Sequence, residues 1–132
     1  MLRQTKSQRM AQEAYKRVSE RKETKKGDAF KEYVSFARRF PSLLHSCGLV
    51  QAVVFANTKD QKEYIDDLVS VLSSAGYAGL NGHSDLEQRA RTVPVPAYHR
   101  LARDALRAAE WLKRYAEAFE PGEGQKTGEQ NA

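Results

Sequence analysis

Residues 33–56 read YVSFARRFPSLLHSCGLVQAVVFA, and this stretch decides between a helical and a mixed fold. In its first part, apolar residues recur at three- and four-residue spacing, which predicts a helix with one buried face. Pro41 lacks a backbone N–H and clashes with the preceding turn, so we expect this helix to break or kink there. The second part, residues 49–56, is β-branched enough to form a strand by propensity alone. We interpret it as a buried helix, because the rest of the chain offers no obvious strand to pair with it.

The remainder of the chain is also patterned for helices. Apolar residues recur at helical spacing in four further segments, which cover approximately residues 5–22, 60–75, 85–91 and 97–119. Together with the stretch above, they predict an all-α fold, a compact single-domain bundle of about six helices over residues 1–120. Residues 121–132 are almost entirely polar and are expected to form a disordered tail.

Local signals predict where several of these helices begin. Asn57 and Thr58 are expected to cap the helix that starts near residue 60. Ser84 and Glu87 have the spacing of a capping box, in which each side chain satisfies a free backbone N–H. The two prolines within residues 93–96 indicate an extended connector before the last helix, since the residue before a proline is pushed away from helical angles.

Size and composition restrict the class of protein. The chain has 132 residues, of which 40% are hydrophobic and 30% charged, as expected for one small domain with a modest core. Its apolar runs fall short of the roughly 18 residues that a membrane-spanning helix needs. The N-terminus also lacks the apolar stretch of about 7–15 residues found in signal peptides. Its single cysteine cannot form an intramolecular disulfide, so we expect a cytoplasmic protein without membrane association.

Positive charge is concentrated near the N-terminus. The chain carries 22 Lys and Arg residues against 17 Asp and Glu, a net charge of +5. Residues 1–26 hold nine of these cations and three glutamates, a net charge of +6, whereas the remaining residues carry −1. A localised basic segment favours binding of a polyanion, although a solvated helix face gives the same pattern. The candidate nucleic-acid contacts are Arg3, Lys6, Arg9, Lys16, Arg17, Arg21, Arg38 and Arg39.

A second group of cations lies in the last predicted helix. Arg100, Arg103 and Arg107 follow three- and four-residue spacing and would share one face of that helix, with Lys113 and Arg114 farther along. No aromatic-rich RNA-recognition signature accompanies them in the sequence, so base stacking is not indicated. The expected chemistry is therefore contact with phosphates, which holds a polyanion without reading its sequence.

Four carboxylates, Asp60, Glu63, Asp66 and Asp67, fall within one predicted helix. They could be imagined as the metal-binding cluster of a nuclease, but their spacing distributes them around the polar face of an amphipathic helix. If this helix were the recognition helix of a helix-turn-helix motif, it would present carboxylates to DNA phosphates. The pattern therefore disfavours both a metal cluster and sequence-specific DNA binding.

Two further groups of residues could suggest a phosphate-binding loop or a zinc site, but each lacks the accompanying residues that such a site requires. Gly76, Gly79 and Gly82 follow a predicted helix without an accompanying lysine, so they predict a plain loop rather than a phosphate cradle. His45 and Cys47 lack the further ligands of a zinc site, and Cys47 is expected in or near the core. We therefore expect no catalytic residue, no metal ion and no cofactor.

The order of these segments resembles the small α-helical subunit of type III-B CRISPR effector assemblies, the Cmr complexes. The resemblance rests on MAQEAYKRV at residues 10–18, on residues 33–56 quoted above, and on AEWLKRYAEAF at residues 109–119. It implies a compact helical protein without catalysis of its own, which stacks in copies along a filament beside other Cmr subunits. It also implies contacts with crRNA and target RNA through positive surface, with the RNA- and DNA-cleaving activities belonging to other subunits.

The residues alone leave two alternatives open. One is a small metal-dependent nuclease that uses acidic residues such as Asp66 and Asp67. The other is a general helical adaptor that binds another protein.

Overall fold

The computed structural model describes residues 3–120, and within them the chain forms six α-helices and no β-strand. The predicted all-α fold and the predicted number of helices are confirmed, while the predicted polar tail, residues 121–132, lies outside the described residues. Among the described helices, none is both long and apolar enough to cross a membrane. In chain order the helices are α1 (Lys6–Thr24), α2 (Asp28–Cys47), α3 (Leu49–Thr58), α4 (Lys62–Ser74), α5 (His83–Thr92) and α6 (Val95–Phe119).

The long helix α6 packs along both α1 and α2, and α4 packs against α1 and α6. The shorter helices α3 and α5 pack against each other and against α4. The face that α6 turns inward is rich in fully buried alanines, which let its neighbours approach closely. The largest buried side chains are aromatic: Tyr64 lies 5.0 Å from Phe40 and 5.9 Å from Tyr33 between ring centroids.

Helix α2 runs through Pro41 without ending, so the break that was one of the two expected outcomes at this residue does not occur. Proline removes one hydrogen bond from the interior of a helix. However, Phe40 and Leu44, which lie before and after Pro41 in the chain, are both buried against the rest of the bundle. Packing of this continuous apolar face therefore holds the helix together across Pro41, since tertiary contacts supply most of a helix's stability.

Helix α3 confirms the helical interpretation of residues 49–56. The chain turns between α2 and α3 at Gly48, whose φ of +83° and ψ of 167° are accessible essentially to glycine alone. The next N–H, that of Leu49, donates to the Tyr98 hydroxyl at 3.1 Å. This turn directs Leu49 into the core and leaves Cys47, the last residue of α2, exposed. The prediction that Cys47 lies in or near the core is therefore wrong.

The predicted cap of α4 is also wrong. Asn57 and Thr58 form the end of α3, where the Thr58 hydroxyl donates to the carbonyl oxygen of Phe55 at 2.9 Å. Helix α4 begins only after Gln61, which makes no side-chain capping hydrogen bond. The buried face of α3 extends to Ala56, so Asn57 and Thr58 complete the last turn of α3 and do not start α4.

Helix α5 begins earlier than expected, directly after Gly82, so the predicted capping box of Ser84 and Glu87 is not formed. The first backbone N–H of α5, that of His83, instead donates to an Asp66 carboxylate oxygen at 2.8 Å. A side chain from α4 thus satisfies the helix start that a local motif was expected to satisfy. This contact was not visible in sequence because 17 residues separate its two partners.

The extended connector before α6 is shorter than predicted. Pro94 is the N-cap and has extended backbone angles, but α6 already begins at Val95 and includes Pro96 in its first turn. Proline is well suited to this position, because the first N–H groups of a helix have no intrahelical partner.

Candidate nucleic-acid interface

Two of the eight predicted RNA contacts converge on one buried carboxylate. Asp67 of α4 has no exposed surface, although its sequence position suggested a polar helix face. Arg17 Nε lies 2.9 Å from one Asp67 oxygen, and Arg21 Nε lies 2.9 Å from the other. The Tyr33 hydroxyl donates to the same carboxylate at 2.5 Å. The expectation for Asp67 is thus wrong, because two guanidinium groups and a phenol offset the cost of burying its charge.

This cluster changes the proton affinity of its members. Burial opposes the charge of Arg21, but the hydrogen bond and the negative charge of Asp67 outweigh it and raise the Arg21 pKa. The Tyr33 pKa is raised well above its usual value, first by burial and then by the charge of Asp67. Arg21 therefore stays charged and Tyr33 stays protonated, as the hydrogen bonds to Asp67 require.

A third predicted contact, Lys6, binds a second buried carboxylate. Lys6 Nζ lies 2.9 Å from Asp104 of α6, and the Tyr77 hydroxyl donates to the same oxygen at 2.6 Å. Burial opposes the charge of Asp104, but the hydrogen bonds from Tyr77 and Lys6 outweigh it and lower the Asp104 pKa. Burial and the neighbouring Asp104 raise the pKa of Tyr77 to about 12.

Arg38 and Arg9 have partners of different kinds. Arg38 on α2 forms ion pairs with Glu117 at 3.1 Å and Glu120 at 2.5 Å. Arg9 donates instead to the backbone carbonyl oxygens of Ser74, at 3.0 Å, and Gln4, at 2.9 Å. The fold therefore positions the charge of Arg9, and no carboxylate of residues 3–120 forms an ion pair with it.

The other three predicted contacts, Arg3, Lys16 and Arg39, are exposed and form no ion pair with a described residue. The Arg39 guanidinium lies over the Phe36 ring at 5.6 Å. The structure thus divides the eight predicted residues into four that pair with carboxylates and four that form no ion pair with an acid in the described part of the chain.

The cations of α6, like Arg3, Arg9, Lys16 and Arg39, are not paired with a described carboxylate. Arg100, Arg103, Arg107 and Arg114 are exposed, Lys113 is half-buried, and none of them forms an ion pair within residues 3–120. Their spacing was recognised in the sequence, but they were not included among the eight candidate contacts, because residues 1–26 carry the larger excess of positive charge. Much of the uncompensated positive charge therefore lies on α6, because several cations of α1 are used inside the fold.

A cleft of about 300 Å³ opens between α1 and α6 beside these cations. It is lined by Lys6, Ser7, Met10, Arg107, Glu110, Trp111 and Arg114. Next to it lies a row of aromatic rings, which we call the aromatic strip: Trp111, Tyr115, Tyr15 and Phe119.

The aromatic strip was not predicted as a functional feature. Its α6 members recur every four residues, at 111, 115 and 119, and this spacing was a signal available in the sequence. The fourth ring, Tyr15, comes from α1, and its side chain is 52% exposed. Only the packing of α1 on α6 brings its ring to 5.6 Å from Tyr115.

The acidic residues that the structure describes are not arranged as a metal site. Within the described part of the chain, no group of three or more His, Cys, Asp and Glu side chains is placed to hold a metal ion. Asp66 lies 2.9 Å from Nδ1 of His83, and Asp67 is occupied by Arg17 and Arg21.

Comparison with known proteins places the chain in a family. A family model described as CRISPR-associated protein (Cas_Cmr5) matches residues 6–119. The CRISPR system Cmr subunit Cmr5 of Thermus thermophilus is 37% identical over 118 residues, which cover 87% of this chain and 96% of that protein. The crystal structure of a CRISPR-associated Cmr5 family protein from the same organism superposes with a TM-score of 0.74, covering 87% of this chain and 97% of that one. The chain, with cationic surfaces on α1 and α6, therefore belongs to the Cmr5 family of CRISPR-associated proteins.

Proposed function

We propose that this protein is a non-catalytic structural subunit of a type III-B CRISPR (Cmr) effector complex. The observation that carries the proposal is the family match, which extends over residues 6–119 and so includes all six helices. The Thermus relative is a subunit of a Cmr system and aligns over nearly its whole length. In this role the protein binds other Cmr subunits and further copies of itself along a filament in the cytoplasm.

We further propose that it contacts crRNA and target RNA through cations that form no ion pair with an acid in residues 3–120. A cation that is free to meet a phosphate releases the counterions condensed there, whereas one already bound to a buried carboxylate contributes less. Arg17 and Arg21 therefore act mainly in folding, through Asp67. The proposed contacts are Arg3, Arg9, Lys16 and Arg39 from the sequence analysis, together with Arg100, Arg103, Arg107 and Arg114 of α6.

RNA binding by the α6 surface is tested with a triple variant, Arg103→Ala, Arg107→Ala and Arg114→Ala. Each lost phosphate contact reduces the slope of log affinity against log salt by about 0.7 for single-stranded RNA, so the slope should fall by about 2. The measurement is filter binding of single-stranded RNA between about 50 and 200 mM salt. The matched control replaces three exposed lysines on the α2 and α4 side of the molecule, Lys26, Lys31 and Lys62, by Ala, and should change the slope less.

Different results contradict different parts of the proposal. An unchanged slope in the α6 variant would contradict the RNA contacts. Failure of the protein to co-purify with a crRNA-containing complex from native lysate would contradict its role as a Cmr subunit. Cleavage of RNA by the purified chain with Mg²⁺ or Mn²⁺, abolished by Asp66→Ala, would contradict the non-catalytic role.

A further inference from the structure

We propose that the cleft between α1 and α6 binds an unpaired RNA base against the Trp111 indole, with the aromatic strip continuing the stacking surface. This inference rests on the proposed function and makes it more specific. The proposed phosphate contacts would hold either single-stranded or duplex RNA, whereas this site requires single-stranded RNA. It adds stacking of a base on an aromatic ring to the electrostatic attraction of the phosphates.

The aromatic strip has the composition of a stacking platform. The rings of Trp111 and Tyr115 are nearly parallel, with an interplanar angle of 19° and centroids 6.0 Å apart. Tyr15 meets Tyr115 edge-on at 5.6 Å and lies 5.5 Å from Phe119. The strip thus links four rings from two helices, and Tyr15 leaves about half of its surface in solvent.

The charges around the cleft favour a polyanion. Arg107 and Arg114 are exposed and form no ion pair with a described residue. Lys6 adds a third cation, partly balanced by Asp104, while Glu110 is the one acid among the lining residues. At the other end of the strip, Lys22 lies over the Phe119 ring at 5.6 Å. Cations therefore border the aromatic rings at both ends.

This combination fits single-stranded nucleic acid better than either feature does alone. Proteins that bind single strands without sequence preference combine a positive groove for the backbone with aromatic side chains for the bases. A cleft of about 300 Å³ is at the small end of ligand pockets and suits a single planar group. A duplex keeps its bases stacked on one another, so it can meet the same cations but cannot place a base on Trp111.

The chain provides its own probe for this site, because Trp111 is its only tryptophan. The full-length protein is titrated with an oligouridylate of about 12 nucleotides, within the usual site size of single-strand binders. A second titration uses an RNA duplex with the same number of phosphates. We expect the single strand to quench the indole fluorescence on binding, and the duplex to bind with little quenching.

A variant pair separates stacking from charge. Trp111→Leu removes the ring while keeping an apolar side chain, and it should weaken oligouridylate binding roughly ten-fold in filter binding, since stacking on one aromatic is typically worth that much. Duplex binding should be unchanged. The matched control is Phe55→Leu, which removes a half-buried aromatic ring of α3 on which Lys59 stacks. It should leave both affinities unchanged.

The outcomes distinguish this inference from the proposed function. Equal affinity of Trp111→Leu and the wild type for oligouridylate would overturn the stacking site, while salt-dependent binding of both RNAs would leave the phosphate contacts standing. Binding of neither RNA would contradict both proposals. If Trp111→Leu instead loses co-purification with Cmr subunits and keeps its RNA affinity, the strip is a protein interface and the inference is wrong.

Discussion

A carboxylate without exposed surface lies where α1, α2 and α4 meet. Asp67 is bound by Arg17 and Arg21 from α1 and by Tyr33 from α2. Helical periodicity placed it on a polar face, and that inference was wrong because periodicity registers how apolar a residue is but not whether a distant cation will pair with it. The same interaction explains why two arginines that appeared available for RNA have partners already.

Two neighbouring tyrosines test how much the hydrogen bond to Asp67 contributes. Both are buried, but only Tyr33 donates to Asp67, whereas the Tyr64 hydroxyl has no hydrogen-bond partner among the described residues. Tyr33→Phe should lower the free energy of unfolding by about 2 kcal/mol, since a hydrogen bond to a charged group is lost. Tyr64→Phe should change it by less than about 0.5 kcal/mol or stabilise the fold, because no bond is lost. Urea unfolding followed by circular dichroism measures both, and an equal cost would contradict the assignment.

At the scale of helices, the turn between α2 and α3 depends on one glycine. A Cβ added to Gly48 would lie 3.5 Å from the Tyr98 hydroxyl, an ordinary contact, so the cost of Gly48→Ala comes from its backbone angles. We expect a loss of about 1–3 kcal/mol in the free energy of unfolding. The control Ser46→Ala, at an exposed position in α2, should change it by less than about 0.5 kcal/mol. A Gly48→Ala variant as stable as this control would show that the turn tolerates a side chain.

The helices themselves were largely predictable, and their ends were not. Residues 49–56 could be assigned as a helix because no strand was available to pair with them, and α3 confirms this. The ends of α2 and α5 depend on contacts that no local motif records. Burial of Phe40 and Leu44 stabilises α2 across Pro41, so the helix does not end there. An Asp66 carboxylate oxygen of α4 accepts the hydrogen bond from the first backbone N–H of α5.

At the scale of the whole molecule, ion pairs tie α1 to α4 and α6, and they predict an acid-sensitive fold. Hydrogen bonds from Tyr77 and Lys6 outweigh burial and lower the Asp104 pKa below 3.8, and a Lys25 hydrogen bond is the main cause that lowers the Glu63 pKa below 4.5. Because these pKa values are lower in the folded state than in the unfolded chain, their stabilisation is present above the unfolded values and is lost as the pH falls through the folded ones.

Asp104→Asn tests this pH dependence. The variant should be less stable than the wild type at pH 7 and should lose stability less steeply below about pH 4, because one of the linked acids is gone. Urea midpoints between about pH 2 and pH 7 measure the effect, with Glu32→Gln, an exposed acid on α2, as the control. An acid dependence equal to that of the wild type would contradict the role of Asp104.

Sequence alone determined the helical fold, the excess of cations and the resemblance to the Cmr subunit family. Periodicity depends on residues that are close in sequence, and composition is a simple count, so neither requires knowledge of tertiary contacts. The tertiary structure alone decided which cations remain available. A carboxylate removed from water requires a partner of opposite charge. Buried Asp67 therefore forms ion pairs with Arg17 and Arg21, and buried Asp104 forms one with Lys6. Packing of α1 on α6 also brought Tyr15 to the rings of α6, across a sequence separation that no local pattern spans.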